Sequence, residues 1–214
     1  MAGYLLQRSM KPALSSFDGL TVLPWIVLAG EEQMQALLPR FGRPALSSSY
    51  APFKRTLVHR AVLSLPTTVL GDKLSTLLSL VDQDCVNAVD AFGRTPLHYA
   101  AALGKDAAMN ILIEVGAADV SVKDKAGNTA LHLCSLSDCA EILLRKGANV
   151  NDMNLRRQPP LAVASSLGLL ELRSCLLAWG ARGKYAVNLV PPKKFKIQIK
   201  MTETDVYDDG LVIE

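Results

Sequence analysis

Aromatic residues are scarce in this chain. Phe, Trp and Tyr make up 6% of 214 residues, although half of the chain is hydrophobic. An interior of that composition must be filled from Leu, Val and Ala, which suits helices packed closely together. Charge of one sign is also lacking. The formal net charge is +3, and nothing in that balance matches the concentrated basic patch of a nucleic-acid binder. Cysteine is sparse, at positions 85, 134, 139 and 175. That is no disulfide framework, and reduced thiols in an intracellular compartment are expected. No apolar run is long enough for a bilayer. The longest, Leu20 to Gly30, has 11 residues and contains Pro24, where a span needs about 20. The start does not have the layout of a secretory signal. Arg8 and Lys11 precede the first acidic residue, Asp18, which leaves a mitochondrial presequence open beside a cytoplasmic location.

The motifs of catalysis are missing as well. Gly104-Lys105 is followed by Asp106, so no phosphate-cradling loop is formed, and neither GxSxG nor HExxH occurs. His132, Cys134 and Cys139 lie close in sequence, but a structural zinc needs four ligands in paired spacing. The expectation is a non-enzymatic protein with no cofactor and no metal. A metal-binding or enzymatic protein built on those three residues is the rival from another class.

What the chain does have is internal repetition. "DAFGRTPLHYAA" begins at Asp90, "DKAGNTALHLCS" at Asp124 and "NLRRQPPLAVAS" at Asn154. A second marker follows each in the same order: "ILIEVGA" at Ile111, "ILLRKGA" at Ile142 and "CLLAWGA" at Cys175. Two markers recurring together are the signature of a repeat architecture. Each piece has a local reason. Asp90 and Asp124 favour a turn, because a short carboxylate accepts nearby backbone N–H groups. Gly93 and Gly127 suit positive φ. Thr95 caps a helix and Pro96 fits its first turn. Leu97, Ala100 and Ala101 give that helix one inward face, and Gly104 ends it. A second helix follows, with Ile111, Leu112 and Val115 inward and Gly116 closing it. The unit reads as a turn, a short helix, a turn and a second short helix.

These motifs resemble the ankyrin repeat, whose signature is T-P-L-H-x-A with a period of about 33 residues. "TPLHYA" at Thr95 matches throughout, "TALHLC" at Thr129 departs at Ala130 and Cys134, and "PPLAVA" at Pro159 lacks the threonine and the histidine. A degenerate copy precedes them. In it, "RTLVHRAV" at Arg55 supplies a first helix with His59 in the histidine slot, and the segment from Leu77 supplies the second helix, with an insertion near "LSLPTTVLGDK". The copy at Asp124 is three residues short around "CSLSDC". The resemblance implies an all-α solenoid of about four helix-turn-helix repeats, at 54–89, 90–123, 124–153 and 154–186. It also implies histidines that support the turns, and protein binding through the turn tips and the concave face.

Mapped by motif position, the expected contact residues are Phe92, Arg94, Tyr99, Leu103, Lys125, Arg156 and Arg157. Phe92 is an aromatic at a tip, and aromatics and arginines are favoured anchors. The basic tips suit an acidic partner surface. Residues 1–53 fall outside the repeat and read as an irregular arm with a short helix near Glu31 to Leu38, expected to insert into a partner. Residues 187–214 read as an extended tail. Within it, Phe195, Ile197, Ile199 and Met201 alternate with Lys194, Lys196, Gln198 and Lys200, the period of a strand with one apolar face. A strand over 193–207 finds no sheet in a helical stack, so Phe195, Ile197 and Ile199 join the contact set. Taken together, the sequence points to a scaffold or accessory subunit of a multi-subunit complex. The rival is a free-standing regulatory inhibitor using the concave face alone. Nucleic acid is not an expected partner, and nothing in the sequence points to a homo-oligomer.

Overall fold

The computed structural model describes residues 53–182 continuously, together with positions 27, 32, 35–36, 38–40, 46–47 and 49. Eight α-helices follow one another as four pairs among these residues: α1 (Leu57–Ser64) with α2 (Thr67–Leu80), α3 (Pro96–Ala102) with α4 (Asp106–Glu114), α5 (Ala130–Leu133) with α6 (Ser137–Arg145), and α7 (Pro160–Leu167) with α8 (Leu170–Ala178). No strand occurs among the described residues. First helices pack against first helices, α1 on α3, α3 on α5 and α5 on α7. Second helices do the same, α2 on α4, α4 on α6 and α6 on α8. The architecture is all-α, a solenoid in which each pair covers the apolar side of its neighbour.

The reason for the alanines is visible in the packing. Ala100 and Ala101 in α3 and Ala108 in α4 are fully buried, as are Leu97, Met109 and Leu112. Small side chains on the first helices let neighbouring pairs approach closely, and leucines fill the space between layers. α3 begins at Pro96 behind Thr95, as its sequence implies.

Three details of length differ from the sequence reading. The extra residues of the first copy are not a loop insertion, because Thr67 to Leu80 form one helix of 14 residues, against nine in α4. The shortfall of the third copy falls on α5, which has four residues where α3 has seven. Gly116 does not supply the left-handed residue after α4; Ala117 does, with φ of +48°. Gly116 is needed for space instead, since a Cβ there would lie 2.7 Å from the Leu112 carbonyl oxygen and 3.0 Å from Val86.

The described positions of the N-terminal region belong to the same core. Val27, Leu38 and Leu46 are buried in it. Ser47 donates its hydroxyl to Asp82 at 2.9 Å, and Lys73 reaches the Val27 carbonyl at 3.5 Å. At these positions the region covers the first repeat and does not offer itself to a partner. An uncovered first pair would leave its apolar side in water. Residues 187–214, with the strand expected over 193–207, lie outside the described residues.

Candidate protein-binding site at the repeat tips

Each tip is built by one short side chain. Asp90 Oδ1 accepts the backbone N–H groups of Phe92 and Arg94 at 2.8 and 3.0 Å. Asp124 Oδ1 does the same for Ala126 and Asn128 at 2.9 and 2.8 Å, and Asn154 Oδ1 for Arg156 and Gln158 at 3.0 and 2.9 Å. These turns demand a left-handed residue in the middle. Gly93 and Gly127 take φ of +77°, while Lys54 and Arg157 hold the same slot at +56°. Successive tips are tied by backbone bonds. Ala91 N–H donates to Phe53 O at 2.7 Å, Lys125 N–H to Phe92 O at 3.0 Å, and Leu155 N–H to Ala126 O at 3.0 Å.

The histidines extend that tie inward. His59, His98 and His132 each accept a backbone N–H from Thr56, Thr95 or Thr129 on Nδ1, at 3.1 to 3.2 Å. Their Nε2 atoms lie 3.0, 3.1 and 3.2 Å from the carbonyl oxygens of Arg94, Asn128 and Gln158 in the following tips. A carbonyl only accepts, so Nε2 carries the proton and the ring is neutral. Burial is the largest influence on all three and pushes them down, His59 to about 4. With both nitrogens engaged, His132 has none left for a metal. Cys134 is buried, and Cys139 is pushed up to about 11, first by burial. Among the described residues no group of three or more candidate ligands could hold a metal ion.

Two of the residues expected at the contact surface are engaged elsewhere. Tyr99 is 1% exposed. Its hydroxyl donates to Asp90 Oδ2 at 2.5 Å, and Arg55 lies against the same carboxylate at 3.7 Å. Tyr99 therefore holds a tip together from beneath instead of facing a groove, because Asp90 needs a partner for its second oxygen. Arg94 has a side chain only 15% exposed and pairs with Asp124 at 3.6 Å, one repeat on. It repeats the Arg55–Asp90 link and is not a free positive tip. Leu103 is half-buried at the end of α3.

The others are at the surface. Phe92 is 37% exposed and stacks on Phe53 of the preceding tip, with centroids 5.8 Å apart. Lys125, Arg156 and Arg157 are exposed, and among the described residues none of them forms an ion pair. Leu155 stands between them, 75% exposed, and was not among the residues singled out from sequence. Its signal was its register: it fills the slot of Ala91 and Lys125, where a large apolar side chain has nothing to cover it. Phe195, Ile197 and Ile199 lie outside the described residues.

The repeat geometry defines a class, that of helical solenoids tied by tip and histidine ladders, and the comparisons agree with it. The family model for ankyrin repeats in three copies matches residues 67–154. The human SH3 and multiple ankyrin repeat domains protein 2 is 31% identical over 159 residues, 72% of this chain and 8% of that protein. A Caenorhabditis elegans homolog of transient receptor potential cation channel subfamily A member 1 is 35% identical over 100 residues, 45% of this chain and 8% of that protein. This chain belongs to the ankyrin-repeat proteins. It spans about a twelfth of the length of either relative. Ankyrin repeats generally mediate protein–protein interaction, and the family is typically non-catalytic. Among the described residues, no helix is long and apolar enough to cross a membrane.

Proposed function

We propose that this protein is a non-catalytic scaffold or accessory subunit of a larger intracellular assembly, and that it grips an acidic partner segment along its tips. The observation that supports this most is the row formed by Phe92, Lys125, Leu155, Arg156 and Arg157. It joins an exposed aromatic and an exposed leucine to three cations that have no carboxylate of their own. Apolar anchors supply affinity in such a surface, while the charges set orientation and association rate. The tips suit this work because their backbone is held by carboxylate, histidine and neighbouring tip together, so little ordering remains to be done on binding. The four free cysteines fit a reducing compartment.

The test is purification of the complex from native cells with wild-type protein and with Lys125→Glu/Arg156→Glu/Arg157→Glu. The expected result is loss of the co-purifying subunits at unchanged helical circular dichroism. Equal recovery of the same subunits by both proteins would place the interface elsewhere.

A further inference from the structure

The tips lead into the first helices. At the other end of those helices, the turns into α4, α6 and α8 form a second exposed edge. Each of these second helices starts with a carboxylate in its first turn: Asp106, Asp138 and Glu171. All three are exposed, and among the described residues none forms an ion pair. A carboxylate there complements the helix dipole, which accounts for its sign. It does not account for the leucines set between them. Leu136 is 49% exposed, Leu170 61% and Leu167 38%.

The edge is continuous from one repeat to the next. Leu136 lies so close over Gly104 that a Cβ added to the glycine would come within 2.7 Å of Leu136 Cδ1. Asp106 and Asp138, from successive repeats, both act on the Cys139 thiol, adding to the effect of burial. Lys105, a cation in the same row, is turned inward. Its Nζ donates to the carbonyls of Val62 and Leu65 at 2.5 and 2.9 Å, at the end of α1. The edge is therefore apolar and acidic, opposite in sign to the tips.

The same chain carries a segment of complementary character. In Lys193 to Met201, Phe195, Ile197, Ile199 and Met201 alternate with Lys194, Lys196, Gln198 and Lys200. The described residues end at Arg182, just past α8. α8 has nine residues, so Leu170 and Glu171 at its start are about 14 Å back along its axis. Thirteen residues lead from Arg182 to Phe195, and an extended chain covers about 3.3–3.6 Å per residue. Reach is therefore ample. The basic tips repel this segment, and the acidic edge attracts it.

We propose that residues 193–201 dock along the edge formed by the turns into α6 and α8. Their apolar positions cover Leu136, Leu167 and Leu170, and their lysine heads reach Asp106, Asp138 and Glu171 at the margin, as long flexible stems allow.

The test uses the full chain at low concentration. Carbodiimide cross-linking, which joins a lysine directly to a carboxylate, is followed by mass-spectrometric mapping. The expected result is links within one chain from Lys194, Lys196 or Lys200 to Asp106, Asp138 or Glu171. Links found only between chains and rising with concentration would assign the edge to a second copy and overturn the proposal. So would links confined to other carboxylates, or none at all. A second readout is tryptic cleavage at Lys194 and Lys196. Docking worth one power of ten in equilibrium should make cleavage about tenfold faster in Leu136→Ser/Leu170→Ser. Both residues are surface positions, and retained circular dichroism checks the fold. Equal cleavage rates in the two proteins would also overturn the proposal.

Discussion

The histidine in each of the first three repeats bonds two neighbours at once, which makes it the most informative single residue in the repeat. His98 Nδ1 accepts the Thr95 N–H, and Nε2–H donates to Asn128 O in the next tip. Replacing it with Ala removes both bonds and leaves a buried N–H and C=O without partners. The expected loss is about 2–3 kcal/mol, measured by urea denaturation. The ring also sets a pH dependence. His59 takes its proton at about 4 when folded and at about 6.5 when unfolded. Between those values the unfolded chain binds more protons, so stability falls as pH is lowered from 6.5 towards 4 and is flat for this group below that. The contribution of His59 is about 3 kcal/mol across the window, and His98 and His132 act in the same direction. Denaturation midpoints from pH 7 to pH 4 should show the fall, and His59→Gln should flatten it. A stability that stays level across this range would mean that the imidazoles are not held neutral.

At the scale of the element, turn and helix are fixed by different forces. The tip turns depend on left-handed backbone and close stacking. At Gly127, φ is +77° and an added Cβ would lie 2.7 Å from the Leu155 nitrogen. Gly127→Ala is therefore expected to cost about 2 kcal/mol or more, from the left-handed conformation and the clash together. The effect should be read as a shift in thermal midpoint. Lys54 and Arg157 occupy the same slot at a smaller φ, which shows how a tip adjusts when a side chain must be accommodated. The end of α1 is held by a residue from the next repeat, Lys105, which donates to two of its carbonyls. Lys105→Met keeps the stem but removes the donors and should cost about 1–2 kcal/mol. No change on that substitution would show that water replaces the ammonium without loss.

For the whole molecule, the stack must be closed at its ends. Leu38 is fully buried in the same core as α1 and α2. Leu38→Ala should destabilise the entire solenoid by about 2–4 kcal/mol, with one cooperative transition retained. A free arm would lose nothing on that substitution. The opposite charges of the two edges belong to this scale as well. Basic tips and the acidic turns into the second helices lie at opposite ends of the first helices, so a partner and the chain's own basic segment need not compete for one surface.

The fold was legible because its determinants are local and recur. The turn carboxylate, the glycine, the threonine and the histidine stand at fixed offsets, and their repetition specified helix pairs stacked in order. The fourth repeat was legible from Leu161 and Gly180 even though Ala162 stands where the others have histidine. The engagement of side chains was harder to read. Tyr99 and Arg94 look like surface residues in the motif, but each answers a carboxylate that the turns leave half-satisfied, and only the stacking of one repeat on another brings them together. The burial of Val27, Leu38 and Leu46 and the exposure of Leu155 were hidden for the same reason. By itself the sequence determined the repeat, its turns and its neutral histidines, since these follow from backbone chemistry within one unit and its next neighbour. The tertiary structure alone decided which charges face water and which face each other, because that depends on contacts between residues some 30 positions apart.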